Sequence, residues 1–296
     1  MKRKFAAYKE LSKSGIVILV IVSVLGGYLI GHPFEQPLRI SHLLLTCLGI
    51  FLLGAGCSAL NQYQERDIDA TMPRTANRPL PSGRLLPREV MIFILVTLFA
   101  GLSILSQLST LLLTLGLCAF VSYNILYTLW WKKHWAFAAI PGAIPGALPI
   151  LMGYVASSGE IWTPTGFYLF GILFFWQMPH FWSLAIKYKD DYAQGGFPTL
   201  PVAHGTQVTV TQIIIWCLAY IALALGGPLF MPVGSLYLTV TVLMSLKILW
   251  ELRAFVREPE SKRWIHFFLW INFSLIAFLT AAAADLWSIY LLHYFK

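Results

Sequence analysis

Long uncharged runs, separated by short polar segments, dominate the pattern of hydrophobic and polar positions along the chain. Each run approaches the roughly 20 apolar residues that an α-helix needs to cross the hydrocarbon core of a bilayer. The pattern predicts nine membrane-spanning helices, near residues 15–31, 41–61, 90–108, 110–130, 136–156, 163–186, 207–226, 233–252 and 266–286. We therefore expect an all-α integral membrane protein whose residues 1–296 form a single transmembrane domain.

The composition indicates that the bilayer is the solvent. Hydrophobic residues make up 58% of the 296 positions and charged residues 11%, which is too apolar for a soluble domain of this length. Four cysteines lie inside predicted spans without the spacing of a metal site. We interpret them as small buried apolar side chains.

Basic residues orient the predicted bundle, because Lys and Arg accumulate in cytoplasmic loops. With nine spans and the N-terminus inside, every Lys and Arg lies on the cytoplasmic side except Arg39 and Lys296. We therefore predict a cytoplasmic N-terminus and an outer C-terminus. This topology explains the net charge of +8 without a nucleic-acid partner. The short loops and the lack of a transit segment favour a bacterial inner membrane.

Two predicted cytoplasmic loops, residues 61–89 and 187–206, are longer and more polar than the others. They follow the second and sixth helices, as expected if two parallel halves each contribute one loop to a shared cavity. The fifth span carries Pro141, Pro145 and Pro149 on one helix face. This spacing predicts close helix packing with a kink or, alternatively, a cavity wall.

The first long loop begins with a cluster of polar side chains. Asn61, Glu65 and Asp69 are spaced by four residues, so a continuing helix would bring them to one face and point Asp67 away. Two carboxylates and an amide suit Mg²⁺, which takes one or two carboxylates together with substrate phosphate oxygens. The alternative interpretation is a solvated helix end.

Arginines follow this cluster directly. Arg74, Arg78 and Arg84 lie on a segment that three prolines are expected to keep extended. Arginine is suited to bidentate phosphate binding, so acids beside arginines favour a metal–diphosphate site. Ordinary positive charge on a cytoplasmic loop explains the arginines as well, but it does not explain the aligned acids.

The second long loop and the end of the fourth helix add further candidates. On one continuous helix His180, Lys187 and Asp191 would share a face, with His180 about 10 Å deeper in the membrane than Lys187. Ionisable groups at membrane depth are rare and often functional, although a lone core histidine is often only hydrogen-bonded. Lys132 ends the fourth helix on the same cytoplasmic side. Its position is explained either by the positive charge expected of cytoplasmic segments or by contact with a diphosphate.

Both loops together carry a recognisable set of motifs: Asn61-x-x-x-Glu65-x-x-x-Asp69, Met72-x-Arg74-Thr75-x-x-Arg78-Pro79, Pro179-His180-Phe181-Trp182, Asp191-Tyr192 and Gly196-x-Pro198-x-Leu200-Pro201. In this set the chain resembles the UbiA-type intramembrane prenyltransferases, and within them the branch that farnesylates haem. The resemblance covers nearly the whole chain. It implies the fold of that family, a bundle of nine transmembrane helices around a central cavity.

The resemblance implies Mg²⁺-dependent transfer of a farnesyl group from farnesyl diphosphate to the 2-vinyl group of haem b, which gives haem O. It assigns Asn61, Glu65 and Asp69 to the metal and to catalysis. It adds Arg74, Arg78 and Asp191 as catalytic residues. It implies substrate binding by His180, Lys187, Lys132, Arg84 and Tyr192, with His180 in contact with haem.

Two departures from the wider superfamily are visible in this sequence. Glu65 stands where the first motif usually has Asp, and glutamate can still bind a metal. Lys187 and Asp191 stand where the second motif usually has an aspartate pair. The second departure implies a metal site supported from one side only.

The implied partners are haem b, farnesyl diphosphate, membrane lipid and a haem-handling or oxidase-assembly protein. Two other functions remain open at this point. The prenyl acceptor could be a quinone-type aromatic ring, against which the His180-Phe181-Trp182 motif argues. From a different class, a polytopic carrier could use paired loops as an anion gate, although carriers commonly place their site near the midplane of the membrane.

Overall fold

The computed structural model describes residues 2–294, with side chains described for residues 4–288. Lys296, which the charge pattern places on the outer side, lies outside the described residues. Within the described range the chain forms helices and no β-strand. In chain order the elements are α1 (Lys2–Leu11), α2 (Ser14–Ile30), α3 (Ile40–Gln64), α4 (Arg66–Asp69), α5 (Pro87–Leu108), α6 (Thr110–Phe120), a π-helix (Val121–Trp131), α7 (Lys132–His134), α8 (Ala139–Ser158), α9 (Pro164–Lys187), α10 (Lys189–Gln194), α11 (Leu200–Leu225), a 3-10 turn (Gly227–Leu229), α12 (Ser235–Arg257) and α13 (Trp264–Tyr294).

The prediction of an all-α membrane bundle is confirmed. Eight helical segments of the described chain are long and apolar enough to cross a bilayer, and α2 forms a ninth candidate together with α1, from which it is bent by 49°. The helix of the seventh predicted run begins earlier than predicted. The helix α11 begins at Leu200, and a kink at Gly205 (φ 83°, ψ 166°) separates its first residues from the predicted span.

Local sequence signals explain where several helices begin and end. Pro164 opens α9, and the Thr163 hydroxyl accepts a hydrogen bond from the Gly166 N–H at 3.0 Å. This satisfies one of the amides that have no partner inside a helix. At the other end of the preceding helix, Gly159 adopts the left-handed conformation (φ 77°) that terminates α8.

The helices α2 and α8 pack closely against each other. A β-carbon on Gly27 would lie 2.1 Å from the Ile150 carbonyl oxygen, and one on Gly153 would lie 2.1 Å from that of Val24. Small residues allow membrane helices to approach in this way. Extensive contacts also join α3 to α5, α9 to α8 and α11, and α12 to α13.

The proline-rich fifth span packs closely, in agreement with the packing interpretation. Pro145 and Pro149 lie inside α8, and Pro149 is buried. From α9, the Gln177 side-chain amide donates a hydrogen bond to the Ala143 carbonyl at 3.0 Å. This bond joins α9 directly to the backbone of the proline-rich segment of α8.

Candidate functional site

The two long loops meet at one end of the bundle. Arg74 from the first loop lies with its Nε 3.5 Å from Oδ2 of Asp191 on the short helix α10. The same guanidinium lies over two rings of the second loop, 5.0 Å from the centroid of Tyr188 and 5.8 Å from that of Tyr192. The chain therefore brings the polar residues of both loops together, as the sequence predicted.

Asn61, Glu65 and Asp69 form the acidic side of this site. The helix α3 ends at Gln64, but the Glu65 N–H still bonds to the Asn61 carbonyl at 3.0 Å and the Asp69 N–H to the Glu65 carbonyl at 2.7 Å. This continuity keeps the helical spacing across the break, and the three side chains are only 4%, 2% and 1% exposed. Asp67 points into solvent as predicted, with 91% of its side chain exposed.

Each of the two buried carboxylates has a basic partner. Arg78 donates from Nη1 to both oxygens of Asp69, at 2.8 and 2.7 Å. Lys132 donates to both oxygens of Glu65 at 2.8 Å. Acidic and basic side chains that alternate in this way suit a metal bound together with a phosphate. The carboxylates can bind the cation, and the basic groups can bind the phosphate oxygens.

Lys13 is a residue of the site that the sequence did not reveal. It lies between α1 and α2 in a left-handed conformation (φ 46°, ψ 43°), and its amine donates to Oδ1 of Asn61 at 3.2 Å. The available signal was weak: a lysine just before the first apolar run, which positive-inside charge explains equally well.

The π-helix forms the opposite wall of the site and was also missed. It carries Asn124 and Thr128, and Lys132 follows it directly. Thr128 accepts a hydrogen bond from the Asn61 amide at 3.3 Å, and the Asn124 amide donates to the Cys57 carbonyl at 2.9 Å. The spacing of these three side chains by four residues was the signal. Stretches of π-helix are rare and occur frequently at functional sites.

Aromatic side chains of the second loop lie beside these basic groups. The Lys132 amine is 4.3 Å from the centroid of the Phe197 ring. Tyr192 packs edge-on against Phe197, with the ring centroids 6.3 Å apart. Tyr192 therefore lies within the cluster, as predicted.

Arg84 does not lie with the other candidates. Its guanidinium binds Glu10 on α1 at 2.7 Å and the Asn77 carbonyl, and 42% of its side chain is exposed. The segment that carries it is also not extended as predicted. It is wound into consecutive turns, for example through bonds from the Arg78 N–H to the Thr75 carbonyl at 2.9 Å and from the Ser82 N–H to the Arg78 carbonyl at 3.0 Å. These turns direct Arg84 away from the acids.

The single helix predicted through His180, Lys187 and Asp191 is wrong. The helix α9 ends at Lys187, and Tyr188 (φ −110°, ψ 30°) separates it from α10. Asp191 consequently reaches Arg74, whereas Lys187 is exposed. The role of Lys187 in substrate binding stays a prediction.

His180 lies deeper, among aromatic side chains. Its ring centroid is 4.6 Å from that of Trp176 and 4.7 Å from that of Phe268. Its Nδ1 atom is buried and has no hydrogen-bond partner among the described residues. Buried polar atoms usually have partners, so this nitrogen is available to a bound molecule.

The donor atoms of the site fit Mg²⁺. No group of three or more His, Cys, Asp or Glu side chains in the described part of the chain could hold a metal ion. The Asn61 amide oxygen and the carboxylates of Glu65 and Asp69 are the candidate oxygen donors. Mg²⁺ commonly binds one or two carboxylates and completes its shell with water and substrate phosphates, so this small set of oxygen donors is sufficient.

Comparisons with known proteins agree over nearly the whole length. A model of the UbiA prenyltransferase family matches residues 20–291. The chain is 42% identical to a protoheme IX farnesyltransferase of Bdellovibrio bacteriovorus, over 97% of this chain and 98% of that protein. It is 38% identical to a protein of the same name from Aquifex aeolicus, over 88% of this chain and 89% of the relative.

Solved structures share the fold at low sequence identity. A structure of digeranylgeranylglyceryl phosphate synthase superposes with a TM-score of 0.77 at 19% identity and covers 96% of this chain and 99% of that one. A UbiA homolog from Archaeoglobus fulgidus bound to DMAPP and Mg²⁺ superposes with a TM-score of 0.68 at 16% identity, over 94% and 99% of the two chains.

Proposed function

Because the chain belongs to the UbiA prenyltransferase family, we propose that it transfers a farnesyl group from farnesyl diphosphate to the 2-vinyl group of haem b, with Mg²⁺ as the cofactor. The products are haem O and free diphosphate. Family membership confirms the prediction of a prenyltransferase over a membrane carrier. The observation that carries the proposal is the placement of the Asp69–Arg78 and Glu65–Lys132 pairs side by side.

The relatives support the choice of substrates. Proteins named protoheme IX farnesyltransferase match this chain at 42%, 38% and 34% identity over most of its length. The exposed apolar surface of the helices also suits substrates that partition into a membrane. A quinone-type acceptor would use the same diphosphate site but lacks this support.

Arg78, Arg74 and Lys132 would bind the oxygens of the diphosphate. Their positive charge stabilises the negative charge that the leaving group gains as the bond from C1 of the farnesyl group to oxygen breaks. Bound by Asn61, Glu65 and Asp69, Mg²⁺ would neutralise further charge on the diphosphate. The UbiA homolog from Archaeoglobus fulgidus, which shares this fold, was solved with Mg²⁺ and DMAPP bound.

The farnesyl cation then reacts with the vinyl group of haem. The vinyl π-electrons form the new carbon–carbon bond to C1, and the resulting benzylic-type cation takes up water and loses a proton. This sequence gives the hydroxyethylfarnesyl substituent and balances the atoms. The aromatic side chains of α9 and the apolar spans exclude bulk water until that last step.

His180 would contact haem within this apolar region. Its unpartnered Nδ1 between the rings of Trp176 and Phe268 supports the assignment. The contact could be to the iron, to a propionate or at the reacting vinyl group. We also propose that the site lies on the cytoplasmic side of a bacterial inner membrane and that the C-terminus lies outside. A haem-handling or oxidase-assembly protein would be the partner of the enzyme.

Product analysis tests the proposed function. Purified full-length protein in detergent is incubated with haem b, farnesyl diphosphate and Mg²⁺, and a parallel sample contains EDTA. We expect a haem heavier by one farnesyl group and one water in the first sample only. Unchanged haem b beside a prenylated quinone precursor would show that haem is not the acceptor. Product formation in EDTA would show that the reaction does not need Mg²⁺.

A further inference from the structure

Lys13 has no role in the steps proposed above, although it contacts a candidate metal ligand. It lies between α1 and α2, and within residues 2–294 it is the non-glycine residue with a positive φ. A side chain with a β-carbon disfavours this left-handed conformation. Backbone of this kind persists where the surrounding structure holds it, and it is frequent at ligand sites.

The rest of α1 holds Lys13 in place. The Leu11 carbonyl accepts a hydrogen bond from the Gln62 amide at 2.7 Å, and Glu10 pairs with Arg84. Ala7 and Leu11 are fully buried against apolar residues of the first long loop and α5. The break between α1 and α2 is therefore fixed relative to the acidic residues that follow α3.

The charges around Lys13 distinguish it from the other basic groups of the site. Three of those groups are paired with carboxylates, Arg78 with Asp69, Lys132 with Glu65 and Arg74 with Asp191. Lys13 instead has a neutral partner, the Asn61 amide oxygen at 3.2 Å. Of these four cations, Lys13 is thus the one that can bind an added anion without first losing an ionic partner.

We infer that Lys13 binds the diphosphate of the prenyl donor and that the left-handed turn between α1 and α2 directs its ammonium group into the site. This inference rests on the proposed function, because it takes a prenyl diphosphate as the ligand. The bond to Asn61 holds the amine beside the acids, where the phosphate oxygens must meet the metal. Lys13 then complements Arg78 and Lys132, which reach the same position from the loop and from the π-helix.

Direct binding to an unreactive substrate analogue tests the inference. Farnesyl thiolodiphosphate, whose carbon–sulfur bond resists ionisation, is titrated with Mg²⁺ into the full-length protein by calorimetry. The variants are K13Q, K13R and K13G, and the matched control is K9Q, which removes an exposed charge from the neighbouring helix α1. We expect about tenfold weaker binding for K13Q and K13G, near wild-type binding for K9Q, and an intermediate affinity for K13R.

The glycine variant separates binding from folding. Because glycine adopts positive φ without strain, K13G should keep the thermal unfolding midpoint of the wild type while it loses affinity. Wild-type affinity in both K13Q and K13G would overturn the assignment of Lys13 and leave the proposed function intact. Failure of the wild type itself to bind the analogue would overturn the proposed function, and the inference with it.

Discussion

Arg74 and Asp191 lie 3.5 Å apart, Nε to Oδ2, and this contact joins the loop after α4 to the short helix α10. Both side chains remain partly exposed, at 35% and 21%. Exposed ion pairs are weak and open easily. The pair therefore closes the polar end of the bundle while leaving Arg74 available to a phosphate that enters from solvent.

Replacement of Asp69 by asparagine should abolish most of the activity. The change removes a buried negative charge from the candidate metal site and leaves Arg78 without its bidentate partner. We expect Mg²⁺-dependent turnover to fall at least about 100-fold, with normal amounts of protein in the membrane. D67N is the matched control, since Asp67 is exposed, and equal turnover of the two variants would contradict the assignment.

The Glu65–Lys132 pair should show separate effects on stability and on activity. K132M leaves a carboxylate that is 2% exposed without its partner, and breaking a buried pair in this way costs about 3–5 kcal/mol. We expect the double variant E65M/K132M to regain most of that unfolding free energy and to remain inactive. Unfolding in detergent, measured beside turnover, checks this prediction. An active double variant would show that neither group acts in catalysis.

Arg84 should matter little for catalysis. Its pair with Glu10 is exposed on both sides, 42% and 44%, and such pairs contribute at most about 1 kcal/mol. We expect R84A to keep kcat/KM within about twofold of the wild type, whereas R78A loses about tenfold or more through the lost phosphate contact. A decrease in kcat/KM for R84A as large as that for R78A would show that Arg84 acts in the site.

The H180A variant should bind haem b more weakly. The variant removes the imidazole whose buried Nδ1 has no partner in the described protein, so haem loses a polar contact. Titration followed by the haem absorption spectrum measures the effect, with farnesyl diphosphate affinity as an internal reference. The control is H134A, because His134 is exposed. Unchanged haem binding and turnover in H180A would remove this residue from the acceptor site.

The orientation in the membrane can be tested without activity. A reporter fused after Lys296 should report the outer face if nine spans separate the two termini. The same reporter placed in the loop between α9 and α11 should report the cytoplasm. A cytoplasmic signal at the C-terminus would contradict the nine-span topology.

Local patterns were sufficient for much of this structure. The apolar runs predicted the spans, and the spacing of Asn61, Glu65 and Asp69 predicted a common face, since each depends on the period of one helix. The end of α9 at Lys187 could not be predicted in this way. No proline or glycine marks it, and the continuation into Asp191 was the simplest assumption.

Features that depend on distant contacts were beyond the sequence pattern. Arg84 forms an ion pair with Glu10 on α1, and Lys13 donates a hydrogen bond to the Asn61 amide oxygen on α3. Neither partner is near in the chain, so neither spacing nor composition distinguishes these residues from ordinary cytoplasmic charges. The same limit applies to the π-helix, whose residues are compatible with an α-helix of equal length.

The π-helix between Val121 and Trp131 makes the site sensitive to chain length as well as to side-chain identity. The π-helix is closed by bonds between residues five apart and turns the chain by less per residue than the about 100° of an α-helix, so the same residues wound as a regular α-helix would rotate Lys132 away from Glu65 with every ligand still present. Insertions and deletions in this span therefore act on the site as strongly as substitutions do, even where they fall on lipid-facing positions.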